Sequence, residues 1–214
     1  MREHSKQIRQ KILATAKDLL VTQGYKKTTI RNIVQHSGVL TGSIYHFYQN
    51  KEAIFAEMLA SIIHHCIEKI DACCGDETPA FKYAVICEVE LTKMRDDARI
   101  CEIYYECYHS RVIFEKMAEL FARYAHQLFG TRFTEEEYRH KAVLIKGAMG
   151  ACITAFYFDN PIDDDAARAE VIYLALRLFG VSEAEVEATI ARMKQQKNLW
   201  SKIAQELVEE PLAI

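Results

Sequence analysis

Three prolines in 214 residues leave little room for the loop-rich folds that disulfides staple together. The seven cysteines are odd in number and include no C-x-x-C pair, which excludes a complete disulfide framework and a zinc ribbon and makes reduced thiols the expectation. No window approaches the roughly 18 consecutive apolar residues that a membrane span requires. The start, Met1-Arg2-Glu3-His4-Ser5-Lys6, leads into an amphipathic segment rather than a secretory apolar stretch, so a cytoplasmic location without membrane contact is expected. There is no glycine-rich phosphate loop, no H-E-x-x-H and no G-x-S-x-G, and the scattered Ser, His and Asp define no constellation; neither enzymatic chemistry nor a cofactor is expected.

What the chain does have is apolar residues, 50% of the total, and helical spacing almost throughout. Ile8, Ile12, Leu13, Ala16, Leu19 and Leu20 form one stripe that Gly24 is placed to end. Thr29 opens a second helix that stops at Gly38, a third runs from about Leu40 to Phe47, and Asn50 caps a long fourth. Beyond it, start signals at Thr78-Pro79, Ser110, Thr134-Glu135-Glu136-Glu137, Asp163-Asp164-Asp165 and Ser182-Glu183-Ala184-Glu185 alternate with breaks near Asp96 to Ala98, Gly130, Asn160-Pro161 and Gly180. The spacing predicts an all-α chain of about ten helices, six of them between 76 and 210.

The charge is unevenly spread. Residues 1–51 carry nine basic side chains against two acidic ones, a balance of +7, so an overall −3 leaves −10 for the remainder. One end is suited to a polyanion. In that end, helix two, a turn through His36-Ser37-Gly38-Val39, and helix three read as a helix-turn-helix, with glycine supplying the left-handed backbone of the turn. Ile33, Val34 and Ile44 point inward, which leaves Thr41, Gly42, Ser43, Tyr45 and His46 toward a DNA groove.

The stretch from 28 to 55, with its opening Thr29, its Gly38-Val39 turn, Tyr45-His46-Phe47-Tyr48 and Asn50-Lys51-Glu52, resembles the signature of the TetR family of bacterial transcriptional regulators. That resemblance implies an N-terminal three-helix DNA-binding domain over residues 1–50 and a helical ligand-binding and dimerisation domain over 51–214. It further implies a repressor that binds double-stranded operator DNA as a homodimer and leaves it on binding a small-molecule effector of unknown identity. By the same resemblance Tyr45, His46 and Lys51 contact phosphates, Thr28, Thr29 and Arg31 lie beside the groove at the start of helix two, and Thr41, Gly42 and Ser43 face base edges. Leu40 departs from the Ser or Thr usual at the cap of helix three, and Phe47-Tyr48 reverses the usual Tyr-then-Phe order.

In the second domain, Ile100 to His109 mixes aromatic, thiol and carboxylate groups on all faces of one short helix. Cys101, Tyr104, Tyr105 and Tyr108, joined by Phe121, Tyr124, Met149 and Phe156, line an organic effector's pocket on one reading; on the other they are core tyrosines bonded to one another and to backbone. Glu102 and Glu106 favour a cationic ligand if buried without a partner. Helices apolar on two sides are buried on two sides, and the small residues Gly147, Ala148, Gly150 and Ala151, with Ile172, Leu176 and Phe179, suggest a homodimer interface. The histidines and cysteines show no structural metal spacing, so no metal site is assigned; a metal- or thiol-redox-sensing regulator of this fold and a ligand-independent DNA-organising protein stand as alternatives.

Overall fold

Capping side chains set most helix boundaries in the computed structural model, which describes residues 2–159 and 164–212. Among the described residues there are eleven α-helices and a 3-10 turn: α1 (Arg2–Gln23), α2 (Ile30–Ser37), α3 (Thr41–Phe47), α4 (Lys51–Cys73), α5 (Pro79–Asp96), α6 (Ala98–His109), α7 (Arg111–Phe129), the turn Gly130–Arg132, α8 (Glu135–Tyr157), α9 (Asp164–Leu178), α10 (Glu183–Gln195) and α11 (Lys197–Glu209). Asn50 accepts the Ala53 amide at 2.9 Å and Thr78 accepts that of Phe81 at 3.2 Å. Thr134 and Glu137 form the full reciprocal capping box, at 2.8 and 3.2 Å. The Asn160-Pro161 break falls outside the described residues.

The stretch expected as one helix from Ser182 onward is two, because the chain turns at Gln196. Turning there brings Trp200 back into the core: its indole N–H donates to the Met193 carbonyl at 3.1 Å, which also accepts the Gln196 amide at 3.0 Å, and its ring meets Phe81 at 6.0 Å.

Two packed units share α4. Ile12, Leu13, Ile33, Ile44, Ile54 and Phe55 close the core of the first, in which α1 packs on α2 and on the start of α4. The second is built round α5, which touches every helix from α4 to α11, and Tyr83, Ala84, Val85, Cys87 and Leu91 are accordingly buried on all its sides. Two clamps tie the units together. Arg99, at the start of α6, donates to the Val21 and Thr22 carbonyls at 2.9 Å each, taking the open acceptors at the C-terminal end of α1. At the far end of α11, the Glu210 carbonyl accepts from the buried Lys17 of α1, and the Glu210 carboxylate meets Lys69 of α4 at 3.0 Å.

Candidate DNA interface and the interior of the second unit

The reading element starts with local chemistry. Thr29 caps α2 by accepting the Asn32 amide at 3.2 Å, and the Asn32 side chain reaches back to the Lys27 carbonyl at 3.1 Å. Gly38 ends α2 at φ 63°, ψ 14°, a left-handed conformation in which its amide still reaches Val34 O at 3.0 Å. On α3 only Ile44 is buried, at 0% exposure, while Thr41, Gly42, Tyr45 and His46 are exposed and Ser43 is half-buried. Arg31 and Thr29 are exposed beside them. A Cβ added at Gly42 meets nothing within 4 Å, so no packing within the chain demands glycine there. One face of α3 is therefore held by its own core and the other is free to approach a duplex.

Inside the second unit three helices bring charged and polar groups to one point. Lys146 of α8, fully buried, pairs with Glu90 of α5; the Tyr108 hydroxyl of α6 donates to Glu90 Oε1 at 2.6 Å and accepts from Lys146 Nζ at 3.3 Å. The Lys146 ammonium also sits 3.2 Å from the centroid of the Phe121 ring, and Met149 Sδ lies 3.8 Å from the Tyr108 hydroxyl. Burial lowers the Lys146 pKa against the opposing pull of Glu90, and burial followed by Glu90 raises the Tyr108 phenol well above its ordinary value. Beside this centre, between α6 and α8, an open groove of about 530 Å³ is lined by Tyr108, Phe114, Lys146, Gly150 and Thr154 and by the exposed Gly147, Ala151 and Phe158.

Of the proposed pocket residues, Tyr108, Phe121 and Met149 meet at this centre. Tyr124 stacks on Tyr83 at 6.3 Å deeper in the core, Cys101 is buried, Phe156 is half-buried against the core, and burial raises the Tyr104 phenol well above its usual range. Tyr105 belongs elsewhere: one residue along α6 from Tyr104, it turns aside and stacks on Tyr157 at 4.0 Å. Glu106 is not unpartnered, since Lys26 meets it at 3.2 Å, and Glu102 lies against Gly24. Burial pushes the Cys66, Cys87 and Cys107 thiols up to about 12, and among the described residues no three His, Cys, Asp or Glu side chains gather to hold a metal ion.

The profile of bacterial regulatory proteins of the tetR family matches residues 12–58, from the middle of α1 to the first turns of α4. Over those residues the chain is similar to the regulators of that family. The uncharacterized HTH-type transcriptional regulator YxaF of Bacillus subtilis (strain 168) is 42% identical over 65 residues, 28% of this chain and 34% of that protein. The HTH-type transcriptional regulator QacR of Staphylococcus aureus is 32% identical over 123 residues, 55% of this chain and 64% of that protein. The chain thus spans about a third of YxaF and less than two thirds of QacR. The crystal structure of RolR in complex with resorcinol shares the fold, with a TM-score of 0.67 at 18% identity over 90% of this chain and 97% of that one.

Two assignments that came from the TetR pattern need correcting. Thr28 is fully buried and its hydroxyl donates to the Gly24 carbonyl at 2.8 Å, so it braces the α1–α2 turn instead of lying beside a groove. Lys51 is half-buried, its ammonium 3.9 Å above the Tyr25 ring and 3.3 Å from the Tyr25 carbonyl, and it reaches a phosphate only by leaving that seat. Leu40 makes no side-chain cap and is 78% exposed. The reversed ring pair resolves in favour of Tyr48, which is buried and whose phenol burial raises to about 12, with Phe47 half-buried above it.

The proposed dimer residues divide as well. Ile172, Leu176 and Phe179 lie inside the chain's own core, the Phe179 ring 4.9 Å from those of Tyr83 and Phe129, so they are unavailable to a second copy. Gly150 faces Tyr108 instead of solvent: a Cβ there would stand 2.9 Å from Tyr108 Cδ1. Ala148 is half-buried against the core, whereas Gly147 and Ala151 are exposed, in line along α8 with Leu144 and Phe158, which are 58% and 62% exposed. Glu90 and Lys146, the ionic centre, stand out in the sequence only by position: Glu90 is three residues after Cys87 and seven after Tyr83, and Lys146 is four after Ala142 and three before Met149. A charge on an apolar stripe was the available signal.

Proposed function

We propose that this chain is a transcriptional regulator that binds operator DNA as a homodimer, acts as a repressor and is released by a small organic ligand; enzymatic activity has no part in this reading. The observation that carries it is α3, whose Ile44 anchors the helix while Thr41, Gly42, Tyr45 and His46 present small, hydroxyl and ring side chains outward. Lys6, Lys11, Lys27 and Arg31, exposed in the same unit, add the positive field that draws a polyanion. Thr41 to Ser43 read bases, Tyr45 and His46 hold phosphates, and Lys51 joins them on release from Tyr25.

A second copy is supported by the exposed apolar line Leu144, Gly147, Ala151 and Phe158, where glycine and alanine let helix backbones come close. The dimer is needed because two reading helices enter successive major grooves only when held about 34 to 36 Å apart. A ligand acts by favouring a conformation that spoils that separation, with a coupling of about 1 to 3 kcal/mol.

Selecting bound fragments from random duplex DNA tests the reading. One sequence class is enriched, Tyr45→Ala weakens binding to every sequence and lowers the salt slope, and Thr41→Ala changes which operator is preferred. Binding that survives all of these changes unaltered refutes the assignment of α3.

A further inference from the structure

The Glu90–Lys146–Tyr108 centre is costly. Two charges withdrawn from water cost several kcal/mol each before their mutual attraction is counted, and apolar side chains of similar volume commonly stabilise a core as well or better. Lys146 is nevertheless fully buried, and Glu90 nearly so at 9% side-chain exposure. The surroundings are shaped for one further feature. Gly150 leaves the space into which the Tyr108 ring fits, and that fit carries the Tyr108 hydroxyl to the point between carboxylate and ammonium. The adjoining groove, about 530 Å³, has Tyr108 and Lys146 among its walls and opens beside Gly147, Ala151 and Phe158, so that the proposed second copy would cover it; it suits a molecule of one or two rings.

We propose that this centre recognises a neutral hydroxylated aromatic molecule, whose hydroxyl takes the place of the Tyr108 hydroxyl between Glu90 and Lys146. This rests on the reading of the chain as a ligand-released regulator and names the ligand class. A hydroxyl both donates and accepts, which is what the pair requires: Glu90 takes the donated proton in a hydrogen bond and Lys146 supplies one. Charge decides between classes. Glu90 and Lys146 together are neutral, so a phenol leaves the buried site neutral, whereas a carboxylate or an amine leaves one charge unbalanced away from water. Phe114 and Phe121 supply apolar ring surface beside the polar point. Displacing Tyr108 also pulls on α6, whose other contacts, Arg99 with the end of α1 and Glu106 with Lys26, reach the DNA-binding unit.

Calorimetric titration of the full chain with 1-naphthol, 1-naphthoate and 1-naphthylmethylamine tests the class. Naphthol binds, and the two charged probes bind at least roughly ten-fold more weakly. Lys146→Met and Glu90→Gln, checked for folding by circular dichroism, each weaken naphthol binding by about ten-fold. Tyr108→Phe removes the competing internal hydroxyl and tightens it, a gain that a purely structural triad does not produce. Failure of naphthol to bind, equal affinity for naphthoate or the amine, or an unchanged or weakened affinity in folded Tyr108→Phe overturns the proposal. DNA binding is measured without any probe, so loss of the regulator reading and loss of the ligand class are separate results.

Discussion

Two glycines of the same residue type do opposite work. Gly42 has open space where a side chain would go, and Gly150 has the Tyr108 ring at 2.9 Å. Gly42→Ala therefore leaves thermal stability unchanged or raises it, by up to about 1 kcal/mol through helix propensity, while lowering affinity for operator DNA as the new methyl meets the duplex. Gly150→Ala instead forces the Tyr108 ring to move and destabilises the chain by about 1 to 3 kcal/mol, read by urea unfolding, with DNA contacts themselves untouched. The same scale shows how unevenly sites reveal themselves in sequence. Thr41, Tyr45 and His46 were legible because their exposure follows from a local pattern around Ile44. Thr28, adjacent to the capping residue Thr29, was not, because its burial depends on how the turn after Gly24 folds back.

Among elements, α6 links the two units, with Tyr108 on one face and Arg99 and Glu106 on another. The guanidinium of Arg99 closes the C-terminal end of α1, where carbonyls lack helical partners. Arg99→Ala frays that end: amide exchange at Gly24 to Lys26 quickens by about ten-fold while exchange in α5 and α8 stays as it was, since local opening needs far less free energy than global unfolding. Equal acceleration in α5 would show that Arg99 supports the whole fold instead. Helix boundaries were for the most part readable, because caps such as Asn50, Thr78, Thr134 and Ser182 act within three residues of themselves. The turn at Gln196 was not, for it lacks glycine and proline and is made worthwhile by the distant burial of Trp200 against Phe81.

At the scale of the molecule, the fold leaves Leu144, Gly147, Ala151 and Phe158 uncovered on α8. On the proposed homodimer, Leu144→Arg places a charge in that line and is expected to give a monomer in sedimentation velocity, with operator affinity falling because two tethered reading helices bind far better than one. A variant that remains dimeric moves the interface off this face. Lys17 and Lys69, meeting Glu210 from α1 and α4, tie the end of the C-terminal helix to both units of the chain.

The N-terminal unit was determined by sequence alone for a physical reason: its caps, its Gly38 turn and its apolar stripe are all short-range, complete within about forty residues, and each needs only its neighbours to take effect. The second half was settled by tertiary structure. An apolar stripe states that a helix face is buried but not against what, so Leu176 and Phe179 could be assigned to a partner or to the chain's own core until α9 was seen packed on α5 and α8. Likewise Glu90, Tyr108 and Lys146 are separated by 18 and 38 residues, and only the packing of α5, α6 and α8 brings one carboxylate, one hydroxyl and one ammonium to a single point.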